Sequence, residues 1–153
     1  SATDPQRIVS RAVARFSEHH PEHALIVETK DPLPMLKADP AMLRRALDNL
    51  LENAHKYSNV DQPIRLRAQT VVLPGQTTVL EIDIADAGIG IDSVDLPHVF
   101  TPFFRSDRSR ARKTGGVGLG LPLARRIVRA HGGDIVIRSE VGIGTSATVR
   151  IPI

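Results

Sequence analysis

The sequence predicts an α+β fold: a two-layer sandwich in which a mixed, mostly antiparallel sheet of about five strands packs on three helices. Three observations carry this. Segments of period-two alternation come in pairs separated by turn residues, so each pair is most simply an antiparallel hairpin. Three longer segments carry apolar residues at three-to-four spacing, each with a single apolar stripe. Helices and hairpins also come in blocks instead of alternating strictly, which argues against a doubly wound α/β sheet. At 153 residues the chain is the size of one domain, spanning 1–153.

Residues from Asp4 to about Ser17 open with Pro5 near a helix start and place Ile8, Val9, Ala12, Val13 and Phe16 on one face. Ala24 to Glu28 reads as a strand broken by Asp31-Pro-Leu-Pro34, and Met35 to Ala38 as a second short strand. Asp39 then stands as an N-cap before Pro40, starting a helix that should end near Ser58 and Asn59. Leu43, Ala46, Leu47, Leu50 and Ala54 form its core stripe; Asn49, Asn53 and Tyr57 form a polar one, with Lys56 beside it. Asn53 is three residues from Leu50, so the amides border the apolar face, as on a helix that lines a cavity. An ordinary solvated face is the plainer reading of the same residues.

Pro63 to Leu73 and Val79 to Ala85 alternate as half-buried strands around Pro74-Gly75-Gln76, which predicts a hairpin. Leu96 to Phe104 reads as a short helix or turn, and Ser106 to Gly115 as a disordered piece. A helix from about Leu119 to His131 puts Leu123, Ala124, Ile127, Val128 and His131 on one face and stops at Gly132-Gly133. His131 is expected to meet the last carbonyls of that helix. Ile135 to Ser139 and Thr145 to Ile151 form the last hairpin.

Composition excludes several functions. There is no Cys, hence no disulfide framework, zinc thiolate or cysteine nucleophile. No apolar run is long enough for a membrane span, and the first residues do not read as a signal peptide. Ser1 follows no initiator Met, so a piece of a longer protein is expected. The net charge is +3, but Arg105, Arg108, Arg110, Arg112 and Lys113, offset by Asp107, supply +4 within nine residues and leave −1 elsewhere. With one Tyr, four Phe and no Trp as well, nucleic acid is not an expected partner.

Gly116, Gly118 and Gly120 precede a helix, as suits backbone N–H groups around an anion. No buried strand precedes them and no Gly-Lys-Ser/Thr ends them, so neither the dinucleotide fingerprint nor the P-loop fits. A phosphate cradle of another type and a flexible hinge both remain. Asp86, at the end of an apolar strand and followed by Gly88 and Gly90, suits an acceptor for an exocyclic amine such as that of adenine; an Asx-type turn is the alternative. Thr145 could add a polar contact from a neighbouring strand. Together these features can hold a base, a triphosphate and a metal. Magnesium on a nucleotide takes few protein ligands, so the carboxamide oxygen of Asn53 would suffice, with Lys56 and Arg105 offsetting phosphate charge.

Five motifs in order give the chain its resemblance to a family: Asn49-Leu-Leu-Glu-Asn53-Ala-His-Lys56-Tyr57, Asp86-Ala-Gly88-Ile-Gly90, Phe100-Thr-Pro-Phe103-Phe104-Arg105, Gly116-Val-Gly118-Leu119-Gly120-Leu121 and Gly142-Ile-Gly144-Thr145. They resemble the N, G1, F, G2 and last glycine boxes of the ATP-binding catalytic domain of bacterial sensor histidine kinases, in the GHKL superfamily with the Bergerat fold. The resemblance implies ATP and Mg2+ as ligands. It makes Asn53 the metal ligand, with Lys56 and Arg105 on phosphates. Asp86 would take the adenine amine, Thr145 would assist at the base, and Tyr57 would border the nucleotide. Asn49, Gly88, Gly90, Gly116, Gly118, Leu119 and Gly120 would complete the nucleotide site, with an ATP lid over about 100–120. Ala87 and Ala147 depart from the frequent Asn and Phe.

The resemblance further implies transfer of the γ-phosphoryl group to a His on a separate dimerising domain of a homodimeric parent, and a response regulator downstream. None of the six His is followed by Asp or Glu, so the phosphoacceptor and sensor domains are expected outside this chain. A cytoplasmic domain of a bacterial membrane sensor kinase, without direct membrane contact, is the implied location. Two alternatives remain. Gyrase-type or mismatch-repair-type relatives are expected to carry a Glu base where this chain has Asn49, so hydrolysis should be slow. A non-catalytic module docking its basic loop on an acidic partner is the other.

Overall fold

The computed structural model describes residues 2–30, 32–102, 104 and 120–153. The strands are β1 (Ala2–Thr3), β2 (Leu25–Thr29), β3 (Leu36–Lys37), β4 (Ile64–Val72), β5 (Thr78–Asp86), β6 (Asp134–Glu140) and β7 (Gly144–Pro152). Among the described residues the helices are α1 (Pro5–His19), α2 (Pro40–Lys56) and α3 (Gly120–Ala130), and a 3-10 turn covers Leu96–His98. The main sheet has the order β2-β4-β5-β7-β6, parallel between β2 and β4 and antiparallel elsewhere. The expected α+β sandwich with a mixed five-stranded sheet is therefore what the chain forms.

Alternation sets the layers. In β4, Ile64, Leu66 and Ala68 are buried while Arg65 and Arg67 are exposed. The helices pack on the apolar side, where Ile8, Val9, Ala12 and Phe16 of α1, Leu43, Leu47, Leu50 and Leu51 of α2 and Ala124, Ile127 and Val128 of α3 share one core with the sheet. The opposite face is polar and paired. Glu81 accepts from Gln69 Nε2 at 3.1 Å and from Arg150 Nε at 2.9 Å, and Asp83 Oδ1 accepts from Ser146 and Thr148. The arginine bond on Glu81 holds its carboxyl below the usual value against the opposing effect of burial.

Helices α1 and α2 both begin with Asp-Pro. Asp4 accepts from Gln6 N–H at 3.0 Å and Asp39 from Met42 N–H at 3.1 Å, while the proline takes a position whose N–H has no helical partner. His131 ties α3 to α2: Nδ1 donates to the Ile127 carbonyl at 2.8 Å, so Nε2 is bare and accepts Asp39 N–H at 3.0 Å. The first of these contacts is the expected one.

Several details differ from the sequence reading. Strand β1 had no periodic signal because it is two residues long; it pairs with β3 in a separate small sheet. α2 ends at Lys56 with Tyr57 as cap, short of Ser58 and Asn59. From Leu96 to Phe104 only Leu96–His98 is helical, as a 3-10 turn, and His131 lies one residue beyond α3. The segment Ser106 to Gly115 lies outside the described residues.

Candidate functional site

The polar stripe of α2 meets the turn after β5 and the start of α3. Asn49, Asn53, Lys56 and Tyr57 are all half-buried beside buried Leu50 and Ala54. The stripe therefore borders the core and is not an ordinary solvated face. At the end of α2, the Tyr57 carbonyl accepts Ile89 N–H at 3.0 Å. A Cβ on Gly88 would overlap that same carbonyl, so glycine is required for the turn after β5 to touch the helix end. Near the middle of α2, the Asn49 Cβ lies 4.0 Å from where a Cβ of Gly120 would stand, at the start of α3.

Asp86 closes β5 and faces β7. Its Oδ1 accepts Gly88 N–H at 2.9 Å and Thr145 N–H at 3.3 Å. The Asx-type turn and the ligand-acceptor reading thus coexist: among the described residues both bonds fall on Oδ1, which leaves Oδ2 as an acceptor. Burial pushes the carboxyl up from 3.8 to about 6, and the two backbone N–H bonds only partly oppose it. A carboxylate that is desolvated and bonded to no cation among the described residues is poised for an external donor.

Thr145 is set by a residue the sequence reading missed. Ser139 Oγ accepts Ile91 N–H at 2.7 Å and donates to the Gly144 carbonyl at 3.0 Å, so the Thr145 hydroxyl, 2.7 Å away, must donate to it. The Thr145 Oγ1 lone pairs then remain as acceptors beside Asp86. A lone Ser in an alternating strand gives no signal of this; the role depends on β6, β7 and the turn after β5 meeting. Gly144, at φ +150, has its Cβ position against the Asp86 carbonyl. Gly90, at φ +76, abuts the Glu140 carbonyl, and Ile89 accepts Gly142 N–H at 2.9 Å. Gly90 and Gly144 thus serve close backbone approach first.

Phe100 packs on the core, and the Arg125 guanidinium lies 4.4 Å from its ring centroid, an attractive cation–π placement that anchors the start of the segment leading to α3. Arg105, Gly116, Gly118 and Leu119, with most of the expected lid over 100–120, lie outside the described residues.

Two features test the fit to a magnesium nucleotide. Among the described residues the buried Asn49 Nδ2 has no hydrogen-bond partner. Among the described residues the Asn53 amide likewise makes no hydrogen bond, leaving a neutral carboxamide oxygen of the kind Mg2+ accepts. The residues fit the group: neutral and anionic acceptors stand at the β5 end, and amides with Lys56 along α2.

A fold of this kind, with acceptors at a sheet end set beside a helix bearing amides, fits a nucleotide-binding domain, and the comparisons say which one. The family model described as histidine kinase-, DNA gyrase B-, and HSP90-like ATPase matches residues 38–153, and the chain belongs to that family. It is 36% identical over 141 residues to the sensor histidine kinase YkoH of Bacillus subtilis, covering 92% of this chain and 30% of that protein. The mycobacterial sensor histidine kinase MprB superposes with a TM-score of 0.83 at 25% identity, over 99% of this chain and 96% of that one. Full-length ShkA in complex with AMPPNP gives 0.81 at 25% identity, over 99% of this chain and 30% of that one. The expected kinship with sensor histidine kinase catalytic domains is borne out. The chain spans less than a third of the YkoH length. No helix among the described residues is long and apolar enough to cross a membrane.

Proposed function

We propose that this domain binds MgATP and supplies the γ-phosphoryl group to a histidine on a dimerising helical domain of its parent, a homodimeric sensor kinase. The observation that carries the reading is Asp86: a carboxyl pushed up to about 6 by burial, held by two backbone N–H bonds and beside the acceptor lone pairs of Thr145. Such a pair suits the exocyclic amine of adenine. Asn53 would hold Mg2+ through its amide oxygen; when bound, the ion neutralises phosphate charge. Lys56 offsets more of that charge, with Arg105 assigned the same role from its motif. Tyr57 borders the nucleotide, and the Asn49 amide, whose Nδ2 has no partner among the described residues, donates toward it. Gly88, Gly90 and Gly120 keep backbone close to the ligand, as do Gly116, Gly118 and Leu119 by motif.

Phosphoryl transfer asks for positioning and charge stabilisation more than for a nucleophile from this domain. That AMPPNP occupies ShkA, a structural neighbour, supports the nucleotide assignment. The relatives' greater length supports an acceptor domain elsewhere in the parent, a response regulator beyond it, and a cytoplasmic location for this part of a membrane sensor. Asn49 favours transfer over hydrolysis, because an amide cannot act as general base for water. The test mixes this chain with the parent's helical hairpin and radiolabelled ATP. Label on a hairpin histidine is expected; fast phosphate release with no labelled histidine would replace the kinase reading with a hydrolase.

A further inference from the structure

A cluster of imidazoles sits where the end of α1 meets the last turns of α2, and neither the core nor the nucleotide reading accounts for it. His20 caps α1, Glu22 and the buried His23 follow in the turn, and Glu52 and His55 come from α2. The rings of His20 and His55 stack with centroids 3.7 Å apart and planes 26° from parallel. His55 lies about 160° around the helix from Asn53, at roughly 100° per residue, so this group is on another side of α2 from the proposed magnesium ligand.

Hydrogen bonds decide which nitrogens carry protons. The Gln62 carbonyl only accepts, so His23 Nε2 donates to it at 2.9 Å. In the neutral ring His23 Nδ1 is then bare and accepts His55 Nδ1–H at 2.8 Å, which leaves His55 Nε2 bare. Glu52 Oε1 accepts His20 Nε2–H at 2.6 Å, which leaves His20 Nδ1 bare. His20 and His55 therefore each donate one N–H to an orienting partner and keep one free lone pair, the arrangement that metal-ligating histidines adopt. One ligand atom from each of His20, Glu22 and His55 lies within 4.8 Å of the others.

We propose that His20, Glu22 and His55 form a binding site for a borderline divalent transition ion of the Zn2+ class, with Glu52 and His23 orienting the two imidazoles. Two nitrogens and one carboxylate match zinc's preferences, whereas Mg2+ and Ca2+ favour all-oxygen shells. Donors in a tetrahedral zinc site stand about 3.4 Å apart, so closure asks only for small side-chain rotations. Glu22 is exposed, which gives the ion an entry path and leaves water to complete its coordination. The site would clip α1 to α2.

The test is calorimetric titration of ZnCl2 into the 153-residue chain, free of nucleotide and magnesium, with Co2+ as an optical probe of coordination. One ion per chain is expected. Glu22→Ala, at an exposed position that leaves the fold intact, and His20→Ala should each weaken binding by ~10²-fold, and Glu52→Gln by ~10-fold. Asn53→Ala and His98→Ala should leave zinc affinity unchanged. The proposal falls if no zinc binds, if both Glu22→Ala and His20→Ala bind it like the natural chain, or if Asn53→Ala abolishes it. That last result would assign the ion to the nucleotide site, and failure of nucleotide binding alone would leave the zinc result standing.

Discussion

Replacing Asp86 with Asn should move stability and ligand affinity in opposite directions. The folded value of about 6 lies above the ordinary 3.8, so between those values the folded state keeps a proton that the unfolded chain has lost. Stability therefore falls as pH rises through that window and is flat above it. Carried in full, that difference is worth about 3 kcal/mol; residual solvent at a half-buried carboxyl trims it to about 1–3 kcal/mol. An Asn in the same place can accept Gly88 N–H and Thr145 N–H on its own Oδ1 while carrying no charge. At about pH 8 the variant should melt roughly 3–10 °C higher, and at about pH 4 the two proteins should melt within a degree or so of each other. Its Nδ2, however, stands where an acceptor is needed. Losing a bond to a charged acceptor and setting two donors face to face costs about 3 kcal/mol or more, or ~10²-fold in nucleotide affinity. Thermal melts across pH and calorimetric titration with ADP and Mg2+ read the two effects separately. A variant that melts lower at about pH 8 would refute the desolvation argument; unchanged affinity would refute the adenine assignment.

Three further substitutions probe neighbouring parts of the site. Gly88→Ala puts a methyl on the Tyr57 carbonyl and must displace the Ile89 N–H bond of 3.0 Å; we expect a loss of about 2–4 kcal/mol in urea unfolding along with weakened nucleotide binding, and a neutral result would contradict the packing. Asn49→Ala removes a buried donor that has no partner among the described residues, so melting without nucleotide should change by no more than about 1 kcal/mol while MgATP affinity falls several-fold; a large destabilisation would mean the amide is structural. His131→Phe deletes the bridge from Ile127 to Asp39 and should cost about 2 kcal/mol with nucleotide affinity intact, and loss of affinity at unchanged stability would overturn that separation.

The sequence by itself determined the local half of this protein. Asp-Pro at both helix starts, the alternation of Ile64, Leu66 and Ala68, and the apolar stripe of α2 are short-range patterns whose physics is complete within a few residues, and each element formed where they put it. The motif residues could be named for the same reason. The tertiary structure decided what distant segments do to one another. The parallel pairing of β2 with β4 and the two-residue β1 rest on partners far along the chain, so no local period encodes them. The requirement for glycine at 88 is a matter of the Tyr57 carbonyl, and the polarity of the Thr145 hydroxyl is set by Ser139. The raised pKa of Asp86 arises from burial in the assembled chain, which the backbone bonds from Gly88 and Thr145 only partly oppose. In the same way, His20 and His55 are 35 positions apart and read singly as surface or core residues; only the packing of α1 on α2 brings them ring to ring. Period and capping are properties of a segment, whereas burial, close approach and proton placement are properties of the assembled chain.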